Sequence, residues 1–584
     1  MDKPFTEQSN HVSKNIDICS SEEILDIFKT VDLGMFAAEV SSYPGLLNEL
    51  VLSKMYTLFN KMVELQNKRS AGKNCKVVVS GCGTSGRIGF LISTIYDELL
   101  STQGMFDFCM AGGVEALFSS VEAPEDNPDY GMQDLVGVIN GHEAIFIGIS
   151  CGLSAPYVAG QLHHCLTSTN SVLPVIIGFN PVHLARDKSL QQDQTDTFKS
   201  ILQRMLHENG IVLNPVIGSE VITGSSRLKG GTAAYIILNS VIFASLSRNV
   251  FNRTLRIETV IEMQRRCIET TYSNLKMSLP ALITMCGDSI REGGSVYYLG
   301  LDYLGLVGLF DAAECVPTFG CNQNDFRALI TTKDSFRFLK TPNPSVNLGI
   351  TLEDFVLEFK DKMKITDTVI FLKSFQTRPS CPNGLLTLIK STRSNVALIQ
   401  IGVNVIEDNP LNFSLTACIE LNRDSVLNTL SECDYKSTRG EDTSNFCKTL
   451  ETILSVLATK IVLNATSTGS FVLAGKVYEN LMIDIKLSNS KLFERGLRML
   501  QEICHTDKNA CEENILKAIY RVDAITRDIK SKTIDEHVEY ARSIDRVIPI
   551  AVIMTSLGCV VKKAEEILNR SQNVRTCVNS VLKK

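Results

Sequence analysis

The chain is poor in the features that announce a metalloprotein, a secreted scaffold or a membrane protein. Its eight histidines show no metal-ligand spacing, so no metal is expected. Its 18 cysteines are scattered through apolar segments without a Cys-x-x-Cys pair, which reads as buried thiols rather than a disulfide framework. No uncharged apolar run approaches the ~20 residues of a membrane span. The longest, Val547 to Val561, reads as a buried helix. Met1 to Asn10 is polar and lacks the apolar core of a secretory signal, so the cytosol is the expected compartment. A formal net charge of only -6 gives little attraction to a polyanion, and nucleic acid is not an expected ligand. Only 16 prolines, with 44% hydrophobic and 21% charged residues, leave little room for long disordered tracts.

What remains is a folded chain of 584 residues, too long for one core. At ~150 residues per domain it divides into three or four units. Residues 12–70 read as helical, with Ser20 or Ser21 as N-cap and Tyr56, Phe59 and Met62 on one helix face. Lys76 to Ser80 is a β-branched run leading into Gly81-Cys82-Gly83-Thr84-Ser85-Gly86-Arg87 and then an apolar helix. Strands follow at Phe106 to Met110, Ala144 to Ile149 and Val172 to Gly178, alternating with helices, which predicts a parallel sheet covered on both faces. The first lobe ends near residue 255.

The chain also contains a diverged repeat. Val296-Tyr297-Tyr298-Leu299-Gly300 resembles Val77 to Gly81, with Gly300 standing 219 positions after Gly81. At that offset Gly86 pairs with Gly305 and Gly89 with Gly308, and Leu238-Asn239 pairs with Leu463-Asn464 at 225. Thr84 and Ser85 become Tyr303 and Leu304, whereas Ile95 becomes Glu314. Each copy keeps what the other lacks. From about residue 485 the pattern is helical, with Asn489 to Phe493 opening one helix, and this third unit is expected to cap the lobes.

A loop between a parallel strand and a helix lies at the carboxyl edge of the sheet, where N–H groups and the helix N-terminus favour anions. Glycines at 81, 83 and 86 allow close approach, and the Thr84 and Ser85 hydroxyls can bond phosphate oxygens. The spacing also fits a dinucleotide loop, but the second strand ends Cys109-Met110-Ala111-Gly112-Gly113 without the acid that holds a ribose. A tight turn with no ligand is the bland alternative. A second loop, Ser150-Cys151-Gly152-Leu153-Ser154-Ala155-Pro156, converges on the same edge, its serines readable as helix caps or as ligands. Glu125 falls in a predicted loop, where most carboxylates are merely solvated. Glu314 falls inside an apolar helix, where a charge needs a partner. The stretch Ser219 to Thr232 either lines the pocket or joins the lobes, and Arg227 is either ligand or salt-bridge partner.

Together Gly81 to Arg87, Ile149 to Pro156, Gly178-Phe179-Asn180-Pro181, Thr223 to Thr232 and Ser488 to Phe493 resemble the sugar isomerase (SIS) family. The likeness is to the branch holding bacterial N-acetylmuramic acid 6-phosphate etherases and animal glucokinase regulatory proteins. It covers nearly the whole chain and implies an α/β fold of two tandem, doubly wound SIS lobes with a C-terminal helical cap. The implied divisions are a helical arm at 1–57, a first SIS domain at 58–257, a linker helix and second SIS domain at 258–484, and a cap at 485–584. The resemblance maps a site for fructose 6-phosphate or fructose 1-phosphate onto Thr84, Ser85, Glu125, Ser150, Cys151, Gly152 and Lys491, with Glu314 reaching in from the second lobe, and the two loops add Gly83 and Ser154. No cofactor is implied.

The tandem lobes match the regulatory branch, implying a monomeric pseudo-dimer that inhibits glucokinase or another hexose kinase under control of the two fructose phosphates. Where that branch has an apolar kinase-contacting stretch, this chain departs from it with polar Ser431 to Asn445. The resemblance also implies nuclear residence, without a basic cluster in this chain to support it. The rival reading is an etherase-like lyase, with Glu125 and Glu314 as its catalytic pair.

Overall fold

The computed structural model describes residues 3–99, 104–119, 121, 123–168, 171–190, 196–208, 210–249, 255–300, 302–330, 362–374, 391–402, 414–420, 441–570 and 574–582. The N-terminal stretch opens with a 3-10 turn at Phe5–Glu7 and a helix at Ser21–Leu33, which Ser20 closes with Glu23 as a capping box. It is not helical throughout. A two-stranded hairpin, β1 (Glu39–Val40) and β2 (Tyr43–Pro44), separates that helix from the next, Glu49–Ser70. Its turn residues Ser41 and Ser42 take φ of 50° and 66°, a conformation that Gly or Asn normally signals and serine does not.

Two parallel sheets follow. The first joins β3 (Cys75–Gly81), β4 (Phe106–Met110), β5 (Glu143–Ile149), β6 (Val172–Ile177) and β7 (Ile211–Leu213) in the order β4-β3-β5-β6-β7. The second joins β8 (Val296–Gly300), β9 (Phe326–Ile330), β10 (Thr368–Ser374), β11 (Asn395–Gly402) and β12 (Leu415–Glu420) in the order β12-β11-β10-β8-β9. Read from the first strand of each lobe, the two orders are the same, so the repeat seen in the sequence is a repeat of topology. Both sheets are buried under helices, which is why β3 and β5 are nearly continuous apolar runs. Strand order reverses between β3 and β5, the position at which an open α/β sheet leaves a crevice beyond its carboxyl ends.

Corresponding helices of the two lobes pack against each other. Phe90 in the helix Thr84–Leu99 meets Phe310 in Asp302–Phe319 edge-on at 6.1 Å, and Phe243 in Lys229–Asn249 meets Phe446 in Glu441–Leu473 at 5.0 Å. The helix over Lys229–Arg248 is apolar and long enough to cross a membrane, which corrects the expectation that Val547 to Val561 is the longest uncharged run; its uncharged residues 230–247 are buried inside the protein, as in a core helix. Of the polar stretch from 431 to 445, residues 431–440 lie outside the described residues and the rest opens the helix Glu441–Leu473.

The C-terminal unit is all helix, from Ser490–Cys504 to Val574–Leu582, packed round the buried helix Val547–Leu557. The apolar run from 547 to 561 is therefore not one helix. Gly558, at φ 59°, ends the first helix and another starts at Val561. All 16 described cysteines are free thiols.

Candidate functional site

The crevice beyond β3 and β5 opens into a cleft of about 140 Å³, walled by both lobes, the C-terminal unit and the N-terminal turn. All ten residues singled out from the sequence line it: Gly83, Thr84, Ser85, Glu125, Ser150, Cys151, Gly152, Ser154, Glu314 and Lys491.

The floor is the turn from β3 into the helix starting at Thr84, where the Ser85 and Gly86 amides donate to the Cys82 carbonyl and the Arg87 amide to Gly83, so the helix N-terminus faces the cleft. Gly83 adopts φ 49°, and a Cβ there would stand 3.4 Å from Glu314 Oε1 and 3.6 Å from Glu125 Oε1. The carboxylates of two different lobes thus converge over one glycine. Ser85 Oγ lies 3.9 Å from Cys151 Sγ. Burial first, then the charge of Glu220, push the Cys151 thiol up to about 12, so at neutral pH it is a neutral wall and not a nucleophile. Ser150 serves as the cap that the sequence also allowed: its Oγ accepts the amides of Ser154 at 3.0 Å and Ala155 at 3.3 Å. Asn180 fixes the same loop by donating to the Gly152 carbonyl at 3.1 Å.

Glu125 sits in the short turn Ala123–Asp126. Burial raises its carboxyl to about 6, opposed by Lys491 and reinforced by Glu314 and Asp126. Glu314, expected to need a partner, has one in Arg87, itself 1% exposed and one turn into the helix that begins at Thr84. Arg87 also donates to the carbonyls of Ala116 at 2.7 Å, Ser119 at 3.1 Å and Leu117 at 3.2 Å. It therefore braces the segment leading to Glu125 while holding the second lobe's acid. The rule that singled out Glu314, a charge in an apolar helix, applies equally to Arg87 and would have found this partner.

Arg227 proves to be a salt-bridge partner that also lines the cleft. Its Nη1 donates to Asp311 at 2.9 Å and its Nη2 to Ser467 and Thr468 at 3.1 and 2.7 Å, all in the second lobe. The glycine-rich stretch around it lines the pocket and joins the lobes at once. Lys491 stands in the first turn of the helix Ser490–Cys504, which Asn489 caps through the Leu492 amide at 2.8 Å. Ser490 ties that turn to the first lobe by donating to Asp126 at 2.9 Å. Lys491 has no hydrogen-bond or ion-pair partner among the described residues, and its charge is felt at Glu125, Cys82, Cys151 and Glu7. Sequence reasoning missed Asp126, Thr6 and Glu7. The last two belong to a polar N-terminus with no periodicity to flag them.

Fold and cleft together define a tandem SIS protein: two lobes of like topology share one anion-facing crevice under a helical lid. Three family models agree, matching residues 57–166 as the glucokinase regulatory protein N-terminal SIS domain, 272–474 as its second SIS domain and 479–578 as its C-terminal lid domain. The glucokinase regulatory protein of Xenopus laevis is 31% identical over 99% of this chain and 93% of its own length; that of Homo sapiens is 32% identical over 99% and 92%. An N-acetylmuramic acid 6-phosphate etherase of Glaesserella parasuis is 32% identical, over only 41% of this chain and 68% of its own length. The chain belongs to the glucokinase regulatory protein family.

Proposed function

We propose that this protein binds a phosphorylated hexose, fructose 6-phosphate or fructose 1-phosphate, and uses its occupancy to control inhibition of glucokinase or a related hexose kinase. The observation that carries the reading is Lys491: an unpaired ammonium on the lid, opposite a helix N-terminus flanked by two hydroxyls. A phosphate monoester supplies the dianion that such a set lacks, and Glu314 is placed to accept a sugar hydroxyl. Because the lid contributes Lys491 and is tied to the first lobe through Ser490 and Asp126, ligands that place their phosphate differently favour different lid positions. Control of a kinase requires no more than such differential affinity.

The test is a thermal-shift screen of sugar phosphates, followed by a kinase assay with the active ligand. A ligand at 100 times its dissociation constant stabilises by about 2.7 kcal/mol. Stabilisation by a fructose phosphate and ligand-dependent inhibition of a hexose kinase are the expected results. No shift with any hexose phosphate refutes the reading.

One observation favours a second reading: Glu125 and Glu314 meet over Gly83 as an acid–base pair for eliminating lactate from N-acetylmuramic acid 6-phosphate. Against it, Glu314 is committed to Arg87. D-lactate released with sustained turnover establishes the lyase; its absence leaves the regulator.

A further inference from the structure

Asn480 lies in the linker between the second-lobe helix Glu441–Leu473 and the lid helix Ser490–Cys504, and it is fully buried. Every site on its side-chain amide is used. Nδ2 donates to the Asn10 carbonyl at 2.9 Å and to Ser13 Oγ at 3.0 Å, while Oδ1 accepts from Ser9 Oγ at 2.9 Å and Thr223 Oγ1 at 3.0 Å. The Asn10 carbonyl can only accept, and Ser13 spends its own proton on the Val221 carbonyl at 2.6 Å, so the orientation of the amide is forced.

These partners come from two segments remote in sequence, the N-terminal arm and the loop that walls the cleft. The main chain repeats the second link, the Thr223 amide donating to the Asn480 carbonyl at 2.8 Å. Directly after Thr223 that loop lines the cleft with Gly224, Ser225, Ser226 and Arg227, and two residues after Asn480 the linker lines it with Met482. Asn480 itself does not line the cleft. Lys491 follows eleven positions after Asn480. Between them Leu481, Met482, Ile483, Ile485 and Leu487 are buried, and Gly320 packs so closely on the linker that a Cβ there would overlap the Asp484 carbonyl. A segment held this tightly moves as a unit, so its attachment at Asn480 decides where Lys491 stands above the helix that begins at Thr84. Truncating the amide leaves a buried carbonyl and three hydroxyls each short of a bond, which the junction recovers only by shifting or by admitting water.

We propose that Asn480 is a positioning residue of the site: it sets the lid in register with the cleft wall and acts on the ligand through Lys491. This rests on the sugar-phosphate reading above.

The test is a double-variant cycle read by calorimetric titration of fructose 6-phosphate into the full chain. It compares wild type, Asn480→Ala, Lys491→Ala and the two combined, with Ser85→Ala, alone and combined with Asn480→Ala, as the control background. Asn480→Ala is expected to weaken binding at least about threefold, and no further than Lys491→Ala does, because the most it forfeits is one bond to a charged group. With Lys491 already gone, Asn480→Ala is expected to cost less than about twofold, since no ammonium is left to misplace; in Ser85→Ala it keeps its full cost. A residue with a merely structural role weakens binding by the same factor in all three backgrounds, and that result overturns the inference. So does an Asn480→Ala affinity within about twofold of wild type. If Asn480→Ala does not fold, Ser9→Ala with Thr223→Val takes its place in the cycle, stripping both hydroxyl donors from Oδ1 while keeping the amide and the main-chain bond. A loss that disappears only in the Lys491→Ala background then supports the inference, and a loss equal in all backgrounds, or none, overturns it. Wild-type protein that binds no fructose phosphate refutes the sugar-phosphate reading, and the inference with it, whereas wild-type binding with an additive cycle overturns the inference alone.

Discussion

Removing the Asp311 carboxylate tests how the lobes are joined beneath the cleft. Asp311 and Arg227 are each about 3% exposed at the side chain and 2.9 Å apart, so water screens them little. At an effective dielectric of ~20 that separation corresponds to an attraction of about 6 kcal/mol. Deleting one partner of such a pair costs on the order of 3–5 kcal/mol, because the other charge stays buried without compensation. Asp311 also accepts from Ser467 at 3.1 Å and Tyr298 at 3.2 Å, and these bonds are lost with it. The perturbation is Asp311→Ala, compared with Arg227→Met and the double variant. The assay is urea unfolding followed by tyrosine emission, the chain having 14 tyrosines and no tryptophan. The single Asp311→Ala change is expected to lower the first transition by about 3–5 kcal/mol, and adding Arg227→Met to recover most of that loss. A single-variant cost under about 1 kcal/mol, or a double variant no better than Asp311→Ala, refutes the argument that the stranded charge sets the cost.

Other outcomes follow from the same geometry. Glu125, with its carboxyl raised to about 6, is neutral below that pH and charged above it; its burial therefore favours the folded state in acid, and this contribution fades as pH rises from 4.5 through 6. In binding, its charge repels a phosphate above pH 6, so Glu125→Gln is expected to tighten sugar-phosphate binding at pH 7.5 more than at pH 5.5. Equal effects at both values in calorimetric titrations contradict the assigned shift. Gly83→Ala forces an L-residue to φ 49° at a cost of about 1–2 kcal/mol and sets a methyl between two carboxylates. Ligand affinity should drop more than the melting temperature indicates, and full affinity would show that the ligand does not approach this turn.

Much of this site was legible because its parts sit on regular elements. A β-branched run, a glycine turn, two hydroxyls and an apolar helix announce Thr84 and Ser85, and the repeat offset announces Glu314 by what replaces Ile95. Lys491 became visible only through resemblance, since nothing in the spacing of one lid helix says which cavity it covers. Strand β7 is three residues long and escaped periodicity altogether, and the Ser41-Ser42 turn carries no glycine to mark it. Thr6 and Glu7 were unreadable for a deeper reason. Their partners Asn180 and Arg495 lie 174 and 488 positions away, and a polar segment held by distant side chains leaves no pattern in its own sequence.

The most direct measurement is a calorimetric titration of fructose 6-phosphate into the wild type and into Ser85→Ala, Glu314→Gln and Lys491→Ala, each checked to be folded. These residues come from the first lobe, the second lobe and the lid. If one ligand contacts all three, each substitution weakens binding, with Lys491→Ala losing about 10- to 100-fold, the worth of a bond to a charged group. Wild-type affinity in Glu314→Gln and Lys491→Ala alike would contradict a site shared between the lobes and the lid.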